Sequence, residues 1–162
     1  MARTGGRIAA RNLRQTRKFW CDSIAFRTTA RNPRRNAASE NRSALARLRH
    51  YVLRAREFLV SEEGAVLARV LTGIHDDKRL NQMFLERYVK QRRQIQRGII
   101  EDAIASGELK PATDPELLID MLSGPLFFRW LQGHAPLDRG FAQSIFDKVI
   151  SAFQLGSNAS RD

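Results

Sequence analysis

The chain is poor in the residues that build a catalytic centre. It has a single cysteine, Cys21, so it can form no internal disulfide and holds no CxxC pair for metal or redox chemistry. Its three histidines, His50, His75 and His134, are far apart, and none has a second ligand at helical spacing. His75-Asp76-Asp77 resembles the dyad of a metal hydrolase, but a capped helix junction accounts for it more simply. The phosphate loops GxxxxGKS/T and GxGxxG are missing, as is the GxSxG elbow. Glu101 and Asp102 are adjacent, so on a helix they point about 100° apart and cannot clamp one group. No catalytic residue, metal-ligand set or cofactor motif emerges, and no enzyme is expected.

Long apolar runs are also scarce. The longest, LLIDMLSGPLFFRWL, covers fifteen residues and carries Asp120 and Arg129, too short and too charged to span a bilayer. No apolar stretch near Met1 has the form of a secretory signal, so the expected location is the cytoplasm, with no membrane partner. There is no strand-like alternation and no repeat. An all-α fold is expected.

Acidic charge is lacking at one end only. The net charge is +11, from 28 basic and 17 acidic residues. Residues 1–38 hold ten of the basic residues and one acid, Asp22, a net +9; the other 124 residues carry only +2. Arg3, Arg7, Arg11, Arg14 and Lys18 recur every three or four positions, a single basic stripe on a helix and a fit for DNA phosphates. The facing apolar stripe is thin, and RTTARNPRRNAASENR has no period. The expected organisation is a poorly ordered basic segment over 1–42, a helical domain over 43–155 and a polar tail over 156–162.

Helical periodicity begins near Ser43. Leu45, Leu48, Val52, Ala55 and Leu59 form the core stripe of a first helix. Ser61-Glu62-Glu63 starts a second, with Val66, Leu67, Val70, Leu71 and Ile74 as its apolar face. Asp76 or Asp77 can cap a third, which reads on to Ser106 and stops at Gly107. Its stripe is Leu80, Phe84, Tyr88, Ile95, Ile99 and Ala103, broken at Gln91, with Lys90, Arg92, Arg93 and Arg97 on the exposed side. Thr113-Asp114-Pro115-Glu116 starts the next helix, either as a capping box or with Asp114 as cap and Pro115 in the first turn. That helix is apolar almost all round and contains Pro125, which removes one ladder bond. A last helix from about Asp138 carries Phe141, Ile145 and Val149 on one side and Phe146, Ile150 and Phe153 on another.

The segment GEL…DPELLIDMLSGPLFFR, with REFLVSEEGAVLARVL and RGIIEDAIASGEL before it, resembles the C-terminal half of TetR-type (tetracycline-repressor-like) bacterial transcriptional regulators. The resemblance covers roughly Leu45 to Phe153. It implies a homodimer formed by the last two helices and an apolar pocket for a small-molecule effector among the middle ones. A helix with no polar face must be buried on every side, which agrees with the dimer. The expected interface is Leu118, Leu122, Leu126, Trp130, Phe141, Ile145 and Val149. The expected pocket is Phe84, Tyr88, Gln91, Met121 and Phe128, aromatic walls with a few polar atoms.

The resemblance implies a helix-turn-helix at the front, yet residues 1–42 show no apolar helix followed by a small-residue turn and an aromatic-basic helix. DNA contact, on this reading, is non-specific and made through the Arg3–Lys18 stripe. An Arg-rich stretch without a period is also what a GC-rich gene yields in the wrong frame, so a shifted reading of the head is a second explanation. The alternative function is a helical dimerisation adaptor that binds no DNA.

Overall fold

The computed structural model describes residues 42–74 and 77–155, and of residues 72–74 the backbone alone. The expected phosphate contacts Arg3, Arg7, Arg11, Arg14 and Lys18, the polar tail 156–162, and His75 and Asp76 lie outside the described residues.

Ser43 opens the fold as a helix cap. Its hydroxyl accepts the Ala46 N–H at 3.2 Å, one of the donors that a helix start leaves unpaired. Helix α1 (Ala44–Leu59) follows and buries Ala44, Leu48, Val52 and Leu59. The corner into α2 (Glu62–Ile74) depends on glycine: a Cβ at Gly64 would lie 2.3 Å from the Leu59 carbonyl oxygen and 2.4 Å from that of Phe58. Ser61 braces the same corner, donating to the Phe58 carbonyl at 2.7 Å and accepting the Gly64 N–H at 3.3 Å.

Asp77, the second of the two expected caps, accepts the Arg79 and Leu80 N–H groups at 3.0 Å and starts α3 (Lys78–Phe84). A π-helical turn over Leu85–Val89 then leads without a break into α4 (Lys90–Ala105). This corrects the expectation of one regular α-helix. A π turn takes up an extra residue, and beyond it the buried positions include Gln96 and Ile100 in place of Ile95 and Ile99, while Ala103 stays buried. Ile95 is 47% exposed, whereas Gln96 and Ile100 are buried. Gly107, at φ +75°, ends the helix in the left-handed conformation that glycine adopts without strain.

Helix α5 (Pro115–Gln132) is capped by Asp114, which accepts the Glu116 N–H at 2.9 Å with Pro115 in the first turn. Thr113 is not part of a capping box; it is buried, and its hydroxyl has no hydrogen-bond partner. The helix runs through Pro125 unbroken and ends at Gly133, φ +61°. Helix α6 (Arg139–Phe153) is capped by Asp138, and the α4–α5 loop is tied to its far end by Lys110, whose Nζ donates to the Ala152 carbonyl at 2.8 Å.

Among the described residues all regular structure is helical, and no helix is long and apolar enough to cross a membrane. Helix α1 packs against α4, α5 and α6, which together with Leu109 and Leu137 supply one core cluster. Among the described residues, neither α2 nor α3 contributes a member to it. Fully burying one leucine is worth about 1.5–3 kcal/mol against about 0–1 for an exposed ion pair, so this cluster, not the surface charges, holds the domain together.

Candidate functional site

Three of the core helices leave a small cavity between them. Helix α1 lines it with Tyr51, Val52, Ala55, Phe58 and Leu59. Tyr88 of the π turn and Arg92 and Gln96 of α4 form a second wall, and α5 closes it with Leu122, Ser123, Leu126 and Phe127. Its volume is about 50 Å³, room for a few waters, whereas small-molecule pockets hold about 300–1,000 Å³. Any larger guest must push helices or side chains apart.

The polar groups here are unusual for a core. The Arg92 guanidinium lies over the Tyr88 ring at 4.2 Å from its centroid and faces the Phe58 ring at 5.3 Å, a cation held between two π faces. The buried Tyr51 hydroxyl makes no hydrogen bond. Burial pushes its pKa above the usual value; Arg92 comes close enough to oppose that rise, but without the geometry of a hydrogen bond. Burial likewise pushes Tyr88 up to about 12, against the pull of Arg92 and with a further push from Tyr51. Gln96 is 6% exposed, and its side-chain amide makes only a long contact, 3.5 Å, to the Arg92 carbonyl. The chain has two tyrosines, and both line this cavity.

Charged contacts fix the helices around it. Arg93 pairs with Glu116 and, at 2.6 Å, with Asp120, while Arg97 also pairs with Glu116, joining α4 to the first turns of α5. The hydrogen bond from Arg93 holds the Glu116 carboxyl below the usual carboxylate range, against an opposing push from burial and with Arg97 adding to it. At the far end of α4, Glu108 accepts the Ala44 N–H at 2.8 Å and the Leu45 N–H at 3.2 Å, clamping the start of α1. Burial alone would raise the Glu108 carboxyl; the donors from Leu45, Ser43, Ser106 and Ala44 outweigh it, and the net displacement is downward.

The residues expected at a pocket are not brought together. Tyr88 lines the cavity, and Phe84 only stacks on it at 5.0 Å. Gln91 is exposed, because the π turn rotates it outward. Met121 and Phe128 lie on the opposite face of α5, with Phe128 61% exposed. Arg92, expected on the solvent side, lines the cavity instead. Sequence reasoning also missed Tyr51, Gln96 and Phe127; the break in the apolar stripe at Gln91 was the available signal of a register change.

The expected interface needs correction too. Leu118, Leu122 and Leu126 are buried in the protomer's own core and have no surface to offer a partner. An aspartate at Leu126 would therefore break the fold. Trp130, Phe141 and Val149 are half-buried against the same core, and Ile145 is half-buried on α6. The exposed apolar side of α5 is Leu117, Met121, Phe128 and Leu131, one or two helical turns apart, with Gly124 opening the middle.

Comparison with known proteins points one way. Residues 38–149 match the family model for the tetracyclin repressor-like C-terminal domain. The chain is 31% identical over 97 residues to the uncharacterised HTH-type transcriptional regulator YdeS of Bacillus subtilis, covering 60% of this chain and 48% of that protein. It is 28% identical over 106 residues to the uncharacterised HTH-type transcriptional regulator Rv1556 of Mycobacterium tuberculosis, covering 64% and 52% respectively. The chain thus spans about half the length of the curated relatives it matches. The crystal structure of the TetR family transcription regulator SCO0332 superposes with a TM-score of 0.58 at 23% identity, covering 80% of this chain and 65% of that one.

Proposed function

The chain belongs to the TetR (tetracyclin repressor-like) family of transcriptional regulators, and on that premise we propose that residues 43–155 are an effector-binding and dimerisation unit. One observation carries the reading: α5 has two apolar faces, of which the inner closes the cavity and the outer is exposed. Two copies joined through Leu117, Met121, Phe128 and Leu131, with Phe141 and Ile145 of α6 beside them, would cover that outer face. A guest in the cavity then presses on the same helix that holds the partner.

The route to DNA runs through α1. Arg92 and Gln96 lie on α4, whose end carries Glu108 on the Ala44 and Leu45 N–H groups. A shift of α4 is passed to the first turn of α1, where the chain arrives from its basic segment. An effector that binds one arrangement better than the other moves the population by that difference in affinity. The chain performs no catalysis in this scheme, and it acts in the cytoplasm, where a bacterial regulator meets its DNA.

Light scattering on the purified chain tests the central element. A dimer at micromolar concentration is expected, and a monomer there would overturn the interface. A gel-shift titration against salt tests the rest. Five phosphate contacts from the basic stripe imply a log-log slope of about −4 to −5 without preference for one sequence.

A further inference from the structure

The lining of the cavity carries more information than its size. Its walls are mostly hydrocarbon, with the aromatic rings of Phe58, Tyr88 and Phe127 among them. Among the described residues its lining includes one arginine, two tyrosines, a glutamine and a serine, and no aspartate or glutamate. Two of these polar groups have poor protein partners: the Tyr51 hydroxyl has none, and the Gln96 amide makes only its long contact to the Arg92 carbonyl. A buried hydroxyl left unpaired costs about 1–3 kcal/mol, a penalty that a ligand acceptor would relieve. The Arg92 guanidinium packs on the Phe58 and Tyr88 rings, and its planar donor fork has the geometry that a carboxylate matches.

Building on the effector-binding reading above, we infer that this cavity takes a small apolar carboxylate, with the acid group held by Arg92 and Tyr51 and the hydrocarbon body against Leu59, Leu122, Leu126 and Phe127. The chemistry discriminates by charge. A carboxylate accepts from both the guanidinium and the phenol; the matching primary amide offers a single neutral oxygen and brings its own N–H donors into a donor-rich site. An amine brings a second cation towards Arg92. The body must be compact, because even a single benzene fills a cavity of about 150 Å³ and this one has to expand to admit it. Phe127 is one of the half-buried walls, packed edge-on against Trp130 at 5.6 Å.

The test is a binding series on the full chain with benzoate, phenylacetate and hexanoate, each beside its primary amide and its amine. Calorimetry and tyrosine fluorescence serve as readouts, because both tyrosines of the chain lie in the site. At least one acid should bind, and its amide should bind about ten- to hundredfold more weakly, the range of a charge-assisted hydrogen bond. Arg92→Gln should erase the gap between acid and amide, while Arg92→Lys should keep part of it. Tyr51→Phe removes a buried hydroxyl that lacks a hydrogen-bond partner, so it should raise the melting temperature or leave it no lower, and weaken the acid alone; it serves if the Arg92 variants fail to fold. Amides binding as well as acids would overturn the carboxylate assignment and leave an effector pocket standing. If no acid, amide or amine binds, the pocket reading fails together with it.

Discussion

The inner and outer faces of α5 are built from the same residue types and do opposite things. Leu118, Leu122 and Leu126 are sealed in the core, while Leu117 and Met121, each one position before a buried leucine, and Phe128 and Leu131 further along are exposed. Hydrophobicity does not separate them. What separates them is which side α1, α4 and α6 occupy, and the lesson is that an all-apolar helix announces two burials without saying which residues serve which. The partner for the inner face is the same chain. For the outer face we propose a second copy of it.

The comparison breaks most visibly at Leu122. Leu122→Ala removes a fully buried side chain beside the cavity and should cost about 2–5 kcal/mol in chemical denaturation. Below the melting temperature the variant should keep the oligomeric state of the parent. Loss of the dimer without loss of stability would mean that the faces have been assigned the wrong way round.

Phe128→Asp is the mirror experiment. A central aromatic anchor is worth about 2 kcal/mol or more at an interface, so light scattering should show the dimer weakened by at least about thirtyfold. Denaturation of the isolated protomer should move by no more than about 0.5 kcal/mol, because an exposed side chain has little to lose. Equal damage to fold and assembly would place Phe128 in the core.

The Glu108 clamp belongs to neither face and sharpens the contrast as a control. Glu108→Gln should cost about 1 kcal/mol at neutral pH and leave the oligomer intact. The folded carboxyl titrates below its unfolded value of about 4.3. Its contribution is therefore present above that value and lost as the pH falls through the folded pKa, and the variant should show less acid sensitivity over that window.

The smallest effect belongs to the tyrosines, which report the inner face alone. Both hydroxyls titrate above the usual value, Tyr88 at about 12. Raised folded pKa values stabilise fully below pH about 10 and lose that contribution as the pH rises through about 12. Tyrosinate absorbance should thus lag behind that of the denatured chain and appear together with alkaline unfolding. Phe128→Asp should leave the lag intact and Leu122→Ala should shorten it.

Much of this architecture was legible in local chemistry. Ser43, Ser61, Asp77, Asp114-Pro115 and Asp138 sit at helix starts, and Gly107 and Gly133 at two of the stops. Each depends on groups within about four residues, so sequence spacing is enough to find it. The site was far less legible. One inserted residue at Leu85–Val89 exchanged Ile95 for Gln96 on the buried side and brought Arg92 inward. A π turn has no residue signature comparable to a cap.

By itself the sequence determined the order of the helices, their ends and the class of fold, because capping and amphipathic periodicity are properties of neighbouring residues. Only the tertiary structure decided that Arg92 and Tyr51, 41 positions apart in the chain, share one cavity, and which side of α5 faces inward. Those outcomes depend on how four helices rotate about their axes as they pack. A rotation set by contacts from α1, α4 and α6 at once is not written in any one of them.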